Sequence, residues 1–447
     1  MRILHYALGF PPYRTGGLTK YCMDLMIEQK QQGHDVGMLW PGRMGVGKEN
    51  IKIRKTVEEK GILSFELIHP LPVPLDEGIL DVDKFMDKTD GSLYRSFLLF
   101  VKPNVIHVHT LMGIHLEFFK EAKKLNIPIY FTTHDFFGIC SKATFLNHGE
   151  NCKKGIQCED CFSCNQSALS NAKIRLMQSV LYRALKDTAV VKKMRQRHRS
   201  DFFEQAEERE TIDSRLENKS EDYLTLRNYY KKMFFMMDGI HFNSTVTESV
   251  YRQYLEGIKG EVISISNGEI QNHKIKKQFG NKVKMAFLAA PSPAKGYFEI
   301  VGALDELWKE GYHDFELHSY GNSRKDERYL KTHPRYQFSD LKNIMEKTDL
   351  VVVPSMWNET FGFVVLEALS YGVPVLVSEH VGAKDILAEG KSGMIARPDK
   401  ESLKNAVKDI LRNPQEKLSE MNHYIVKNQF IKTMDVHAKE IEKFYKG

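Results

Sequence analysis

The sequence predicts an α/β protein of two doubly wound, Rossmann-like domains facing a cleft, with a Cys-rich loop and a helical insertion in the first. Three observations predict it. Short apolar runs alternate with amphipathic stretches almost throughout, the pattern of strand–helix–strand units in a parallel sheet. The alternation starts twice, at Arg2 and again at Val283, in a chain of 447 residues, far more than one core needs. The runs Val351-Val352-Val353 and Val373-Pro374-Val375-Leu376-Val377 show no in/out alternation, as expected of strands covered by helices on both faces.

In chain order, Arg2 to Leu8 reads as a strand, and Gly16-Gly17 precedes a helix from Leu18 to Gln32 that Gly33 stops. Strands follow at Asp35 to Trp40, Asn104 to His109 and Ile127 to Thr133; Gly239 to Phe242 and Glu261 to Ser266 complete the first sheet. The second series places strands at Lys284 to Ala289, Asp314 to Tyr320, Leu350 to Val353 and Val373 to Val377. The expected division is an N-terminal domain 1–270, a linker 271–282, a second domain 283–425 and a C-terminal helix 426–447 packing back on the first domain. A Cys-rich loop, 138–166, and a helical insertion, 170–235, interrupt the first domain. Within the insertion, Lys173 to Arg199 holds nine Lys or Arg against Asp187 alone, and Glu204 to Glu221 reverses the balance with seven acids against three basic residues. Two helices of opposite charge pairing with each other is the expected arrangement.

Charged residues make up 27% and hydrophobic ones 42%, an ordinary soluble composition. No apolar run reaches the roughly 18 residues that span a bilayer. The run Ile3 to Phe10 is broken by His5 and closed by Pro11-Pro12, with no small-residue cleavage site after it. A cytoplasmic protein without a signal peptide is therefore expected. A net charge of +6 is mild, and no nucleic-acid partner is expected.

The chemistry concentrates in Pro354-Ser355-Met356-Trp357-Asn358-Glu359-Thr360-Phe361-Gly362-Phe363-Val364-Val365-Leu366-Glu367-Ala368-Leu369. A buried strand ends at Pro354, a loop follows, and a helix begins near Gly362. The first N–H groups of that helix have no intrahelical partners, so they are anion donors, and a nucleotide diphosphate suits them. Glu359 precedes the helix and Glu367 lies about two turns further on. One carboxylate can then bond sugar hydroxyls near the phosphates while the other reaches a ribose. The plainer reading makes Glu359 a helix-start residue and Glu367 a surface one.

The whole string resembles the E-x7-E segment of family 4 glycosyltransferases. It has the strand, Pro-Ser, Glu-Thr-Phe-Gly, Glu-Ala and Gly-Val-Pro-Val in order, followed by Gly382, Asp385 and the turn Gly390-Lys391-Ser392-Gly393. The resemblance implies the two-domain GT-B fold, a nucleotide-sugar donor, transfer with retention of anomeric configuration, and no catalytic metal. It implies donor binding by Gly16, Gly17, Lys295, Glu359, Thr360, Phe361, Gly362, Phe363 and Glu367, and catalytic roles for His134, Lys295 and Glu359. Gly16-Gly17 matches the glycine-rich loop after the first strand, where a missing Cβ lets backbone approach a phosphate. Lys295, after Ser292-Pro293, matches the lysine that stabilises the departing diphosphate. His134, at the end of its strand, matches the histidine beside the transferred sugar. Ser266-Asn267-Gly268 matches a hinge turn. The family's usual Arg, five residues before the lysine, is Ala290 here, so one of two cationic clamps is missing unless Arg324 or another residue substitutes. His107 and His109 also fit a family pattern, and at least one is read as packing. Asp81-Val82-Asp83 follows no strand, and its likeness to a metal-binding D-x-D is read as coincidence.

Cys140, Cys152, Cys158, Cys161 and Cys164 lie close together, with two C-x2-C steps sharing Cys161. In a cytosolic protein that density favours thiolate metal ligation, and a structural zinc is the expectation; unligated cysteines are the alternative. The functional expectation is transfer of sugar to a saccharide acceptor, free or lipid-linked, in surface polysaccharide synthesis. The basic stretch from Lys173, interleaved with Leu176, Val180, Leu181, Leu185 and Val190, would rest on the anionic inner face of the membrane. The alternatives are another GT-B enzyme, such as a sugar-nucleotide epimerase, and a non-catalytic nucleotide-sugar-binding subunit.

Overall fold

The computed structural model describes the chain apart from residues 12, 46–49, 77, 148–149, 153–157, 159, 187, 189–190, 192–219, 323–325 and 429–430. The first sheet contains β1 (Arg2–Tyr6), β2 (Asp35–Pro41), β3 (Lys52–Lys55), β4 (Leu63–Ile68), β5 (Val105–Val108) and β6 (Ile129–Thr132). A small hairpin, β7 (Leu146–Asn147) and β8 (Glu150–Asn151), stands apart, and β9 (Gly239–Phe242) and β10 (Gly260–Val262) complete the sheet. Its order is β10-β9-β6-β5-β1-β2-β4-β3, parallel except for the edge pair β3 and β4. The second sheet contains β11 (Val283–Phe287), β12 (Phe315–Tyr320), β13 (Leu330–His333), β14 (Leu350–Val353), β15 (Val375–Ser378) and β16 (Gly393–Ala396). It runs β13-β12-β11-β14-β15-β16 and is parallel throughout.

These are the two α/β domains expected. Val351, Val375, Leu376 and Val377 have no exposed surface, which is why their sequence lacks alternation. The sequence-based expectations omit β3, β4, β13 and β16 of the two large sheets and both strands of the hairpin β7–β8. Lys52–Lys55 is a short, charged edge, with the pattern K-I-R-K, while the strand Gly393–Ala396 starts on the last residue of the expected turn Gly390-Lys391-Ser392-Gly393. The strand expected from Glu261 to Ser266 ends at Val262, where the chain leaves the sheet towards the second domain.

The helical insertion begins with Asn171–Met177 and Val180–Leu185 and ends with Ser220–Phe234. The last of these buries Tyr223, Leu226, Tyr230, Met233 and Phe234 against the first domain. Most of the two oppositely charged runs, including residues 192–219, lies outside the described residues. Among the described residues, no helix is long and apolar enough to cross a membrane.

The helix Pro414–Lys427 belongs to the second domain: Asn422 donates to the Gly372 carbonyl at 2.7 Å and the Ile275 carbonyl at 2.9 Å. The final helix, Met434–Phe444, lies instead against the first domain, where Tyr130 donates to the Tyr445 carbonyl at 2.9 Å. In each sheet the strand order reverses beside a central strand, between β1 and β5 and between β11 and β14. Ligands of open α/β sheets sit beyond the carboxyl ends of the strands at such points.

Candidate functional site

The loop after β14 leads into the helix Phe363–Ser370, and the loop after β1 leads into the helix Gly17–Gln31. Neither helix has a side-chain cap, so their first N–H groups remain available as anion donors. The two starts approach each other: a Cβ placed on Gly17 would lie 3.7 Å from the Phe363 ring. Gly362 turns the chain into its helix at φ +96°, a conformation that costs a residue with a side chain.

Lys295 comes from the neighbouring loop, after β11. Gly296 makes that loop possible. Its φ is +71°, and a Cβ would fall 1.9 Å from the Pro354 carbonyl oxygen, so the two loops touch backbone to backbone. The Met356 N–H donates to the Ala294 carbonyl at 2.9 Å and fixes the pair. Lys295 Nζ then reaches Glu359 Oε1 at 2.8 Å and sits 5.0 Å from the centre of the Trp357 ring. Ser355 donates to the other Glu359 oxygen. Burial pushes the Glu359 carboxyl up, but the Lys295 charge and the hydrogen bonds from Lys295 and Ser355 outweigh it. Its pKa therefore lies below the usual carboxylate value. A carboxylate and an ammonium thus stand together, ionised, beside two open helix starts.

Glu367 differs. Burial holds its pKa up at about 7, with Lys20 lowering it and Glu269 raising it. Phe361 is 2% exposed and packs in the core, and its carbonyl accepts from the Ala383 N–H at 2.7 Å. Its side chain therefore shapes the loop from beneath. Thr360 bridges the domains: its hydroxyl donates to the His134 carbonyl at 3.1 Å, and its own carbonyl accepts from Ser244 Oγ at 2.6 Å. His134 packs 4.7 Å from the Tyr21 ring, with its pKa lowered to about 3 by burial first and His437 second. Alongside, Asp385 accepts from both the N–H and the hydroxyl of Thr245, each at 2.6 Å.

Ala290 lies beside Gly321, whose added Cβ would come 3.6 Å from the Ala290 Cα; Arg324 lies outside the described residues. The structure adds residues that the sequence reading passed over. Asn151, on the hairpin of the Cys-rich loop, donates to the Met356 carbonyl at 2.8 Å and accepts from the Asn358 N–H at 3.2 Å. The Cys-rich loop therefore braces the very loop that carries Glu359. Trp357 and Ser355 lie within the segment from Pro354 to Leu369, but only the fold shows what they touch.

Cys140, Cys152, Cys158, Cys161 and Cys164 line one small cavity together with Arg227. Cys140, Cys158, Cys161 and Cys164 are free thiols. A hydrogen bond from Cys161 lowers the Cys158 thiol and raises Cys161, while burial raises Cys140 and holds Cys164 at about 12. Among the described residues, the groups of three or more side chains whose ligand atoms lie within 4.8 Å of one another are His5, His107 and His109, and Cys22, His109 and His134. The loop cysteines form no such group in this arrangement.

Comparison with known proteins follows the same division. Residues 15–212 match the model of Glycosyltransferase Family 4, and residues 269–429 that of Glycosyl transferases group 1. The chain is 25% identical over 209 residues to an uncharacterized glycosyltransferase of Methanocaldococcus jannaschii, covering 43% of this chain and 57% of that protein. It is 30% identical over 121 residues to a D-inositol 3-phosphate glycosyltransferase of Corynebacterium urealyticum, covering 27% of each. A phosphatidyl-myo-inositol mannosyltransferase of Mycobacterium leprae is 26% identical over 186 residues, covering 38% of this chain and 49% of that protein. The chain thus spans between about a quarter and about three-fifths of the length of these curated relatives. Among solved structures, sucrose-phosphate synthase from Thermosynechococcus elongatus superposes with a TM-score of 0.56 at 14% identity, over 100% of this chain and 98% of that one. HepE of Anabaena, in complex with UDP and glucose, gives 0.53 at 13% identity, over 100% and 99%. These structural likenesses establish the fold.

Proposed function

Because the chain belongs to the GT-B glycosyltransferases of the family 4 kind, we propose that it moves a sugar from a nucleotide-sugar donor to a saccharide acceptor with retention of anomeric configuration. The observation that carries this reading is the meeting of two uncapped helix starts, at Gly17 and Phe363, beside the Lys295–Glu359 pair. Helix N–H groups and an ammonium suit a diphosphate leaving group; a carboxylate suits the hydroxyls of the sugar it carries. Lys295 is tied to Glu359 by a short ion pair, so donor phosphate would draw the lysine while sugar hydroxyls take up the carboxylate. No side chain here is assigned as a covalent nucleophile. Catalysis would rest on positioning, on stabilising the departing diphosphate, and on closure of the domains to exclude water.

A lipid-borne acceptor is supported by the helices Asn171–Met177 and Val180–Leu185. Leu176 is 59% exposed and Leu181 65%, with Val180 and Leu185 beside them, on helices that also carry Lys173 and Arg175. Such a surface would rest on anionic lipid at the inner face of the membrane. Flotation with phosphatidylglycerol vesicles should show binding at low salt that high salt reverses; no binding at low salt would sink this part.

The main test is a thermal-shift panel of nucleotide sugars, followed by product analysis with and without saccharide acceptor. Turnover that needs an acceptor supports transfer. Turnover with donor alone would indicate an epimerase. Ala290 favours one further reading, a non-catalytic nucleotide-sugar-binding subunit, for which donor would bind without turnover under any acceptor.

A further inference from the structure

Beneath His134 the first domain holds an unusual concentration of fully buried polar side chains: His5, His107, His109 and His241 each have no exposed surface. They belong to one continuous chain of hydrogen bonds, and its direction can be worked out atom by atom. The Ile263 carbonyl can only accept, so His241 Nε2 is its donor at 2.6 Å. A neutral imidazole then has an accepting Nδ1, so the Thr132 hydroxyl donates to His241 Nδ1 at 2.9 Å. With its proton committed, the Thr132 oxygen accepts from His107 Nε2 at 2.7 Å. His107 Nδ1 in turn accepts from the Tyr445 hydroxyl at 2.6 Å. The Tyr445 oxygen is left only to accept, and Gln29 Nε2 donates to it at 3.3 Å. That orients the Gln29 amide, so its Oε1 faces His5 Nε2 and accepts from it at 2.8 Å. His5 Nδ1 accepts from His109 Nε2 at 2.9 Å, and His109 Nδ1 accepts from His134 Nε2 at 3.2 Å.

We propose that this relay, from the Ile263 carbonyl to His134, fixes His134 as its Nε2–H tautomer and leaves Nδ1 as a pre-set acceptor for a hydroxyl of the transferred sugar. Gln29, His5, His109 and Tyr445 are positioning residues in this scheme; none touches substrate. The inference rests on the reading of His134 as a residue beside the donor sugar.

Each link depends on the imidazoles being neutral, and the packing enforces that. Burial is the first cause lowering all of them, to about 4 for His5 and well below the usual value for His107, His109 and His241. The His107 and His109 ring centres are 4.1 Å apart, so a charge on one opposes a charge on the other. Among the described residues no partner is found for His134 Nδ1, the one imidazole nitrogen that the relay leaves open. One ring nitrogen from each of His5, His107 and His109 lies within 4.8 Å of the others, close enough to share a metal ion. Both nitrogens of each ring are already engaged in the relay, so a metal would have to break several of its bonds.

The experiment is a tautomer measurement on the full-length protein labelled with nitrogen-15 histidine. Long-range proton–nitrogen correlation should show His134 with Nε2 protonated and Nδ1 bare. A protonated Nδ1, a mixture of tautomers, or a stoichiometric metal in the purified protein would each overturn the proposal. Tyr445→Phe keeps the ring volume and removes the link that orients Gln29, and Gln29→Leu removes the amide itself. Both should convert His134 to a tautomer mixture. An even mixture halves the competent fraction, so the donor KM should rise about twofold with kcat unchanged. A variant with mixed tautomers and an unchanged donor KM would overturn the positioning role. Should the protein bind no nucleotide sugar at all, the assignment of His134 to a donor site fails, while the tautomer result still decides the relay.

Discussion

Glu359 and Glu367 are both glutamates of one short segment, yet their surroundings push them in opposite directions. Lys295 and Ser355 keep Glu359 ionised, while burial keeps Glu367 half-protonated near neutrality, with a pKa of about 7. Glu359→Gln removes the charge that pairs with Lys295. We expect kcat/KM to fall about a hundredfold to a thousandfold, the range seen when one transition-state contact is lost, with the fold retained by circular dichroism. For Glu367 the sign follows from its raised pKa. Between the ordinary carboxylate value and about 7 the folded state holds a proton that the unfolded state has lost, so this group's contribution to stability falls as pH rises through that window. The ionised form is the better acceptor for ribose hydroxyls, so donor affinity should rise over the same window. Calorimetric titration of donor at several pH values checks this, and Glu367→Gln should flatten the dependence. Both glutamates were legible in the sequence because loop, helix start and spacing are set by neighbours. Their pKa values were not, because Lys295 is 64 positions away from Glu359.

At the scale of elements, the site depends on two loops meeting end to end. Gly296→Ala would place a Cβ against the Pro354 carbonyl and force a left-handed backbone conformation on alanine. We expect a loss of about 1–3 kcal/mol from the backbone strain alone, read from denaturant unfolding, together with weakened donor binding as Lys295 shifts. The Cys-rich hairpin gives a milder case. Asn151→Ala removes the brace on Met356 and Asn358. The expected effect is a higher donor KM with little change in unfolding midpoint, measured by steady-state kinetics and thermal melting. The sequence showed a cysteine cluster here and suggested a metal. Packing lines one cavity with the thiols and gives the contact with the Glu359 loop to an asparagine with no motif to mark it.

At the scale of the molecule, the hydrogen bonds that cross between the domains include Thr245 to Asp385, Ser244 to Thr360 and Thr360 to His134. Asp385→Ala removes two of them at once. The closed arrangement should weaken by about 1.5–3 kcal/mol, the scale of a hydrogen bond to a charged group. Small-angle scattering should then show a larger radius of gyration without donor, and kcat/KM should drop through poorer closure.

The sequence by itself determined the two parallel sheets, the helix start at Gly362 and the segment from Pro354 to Leu369. Each is encoded by residues close together in the chain, through apolar periodicity, glycine placement and helix geometry. Only the tertiary structure decided that Tyr445 completes a hydrogen-bond relay with Gln29, 416 positions earlier, that Asn151 braces Met356 across 205 positions, and that the loop cysteines share one cavity with Arg227. The reason is physical. Local backbone preferences are written in adjacent residues, whereas the direction of a buried hydrogen bond depends on which distant polar groups packing brings within reach.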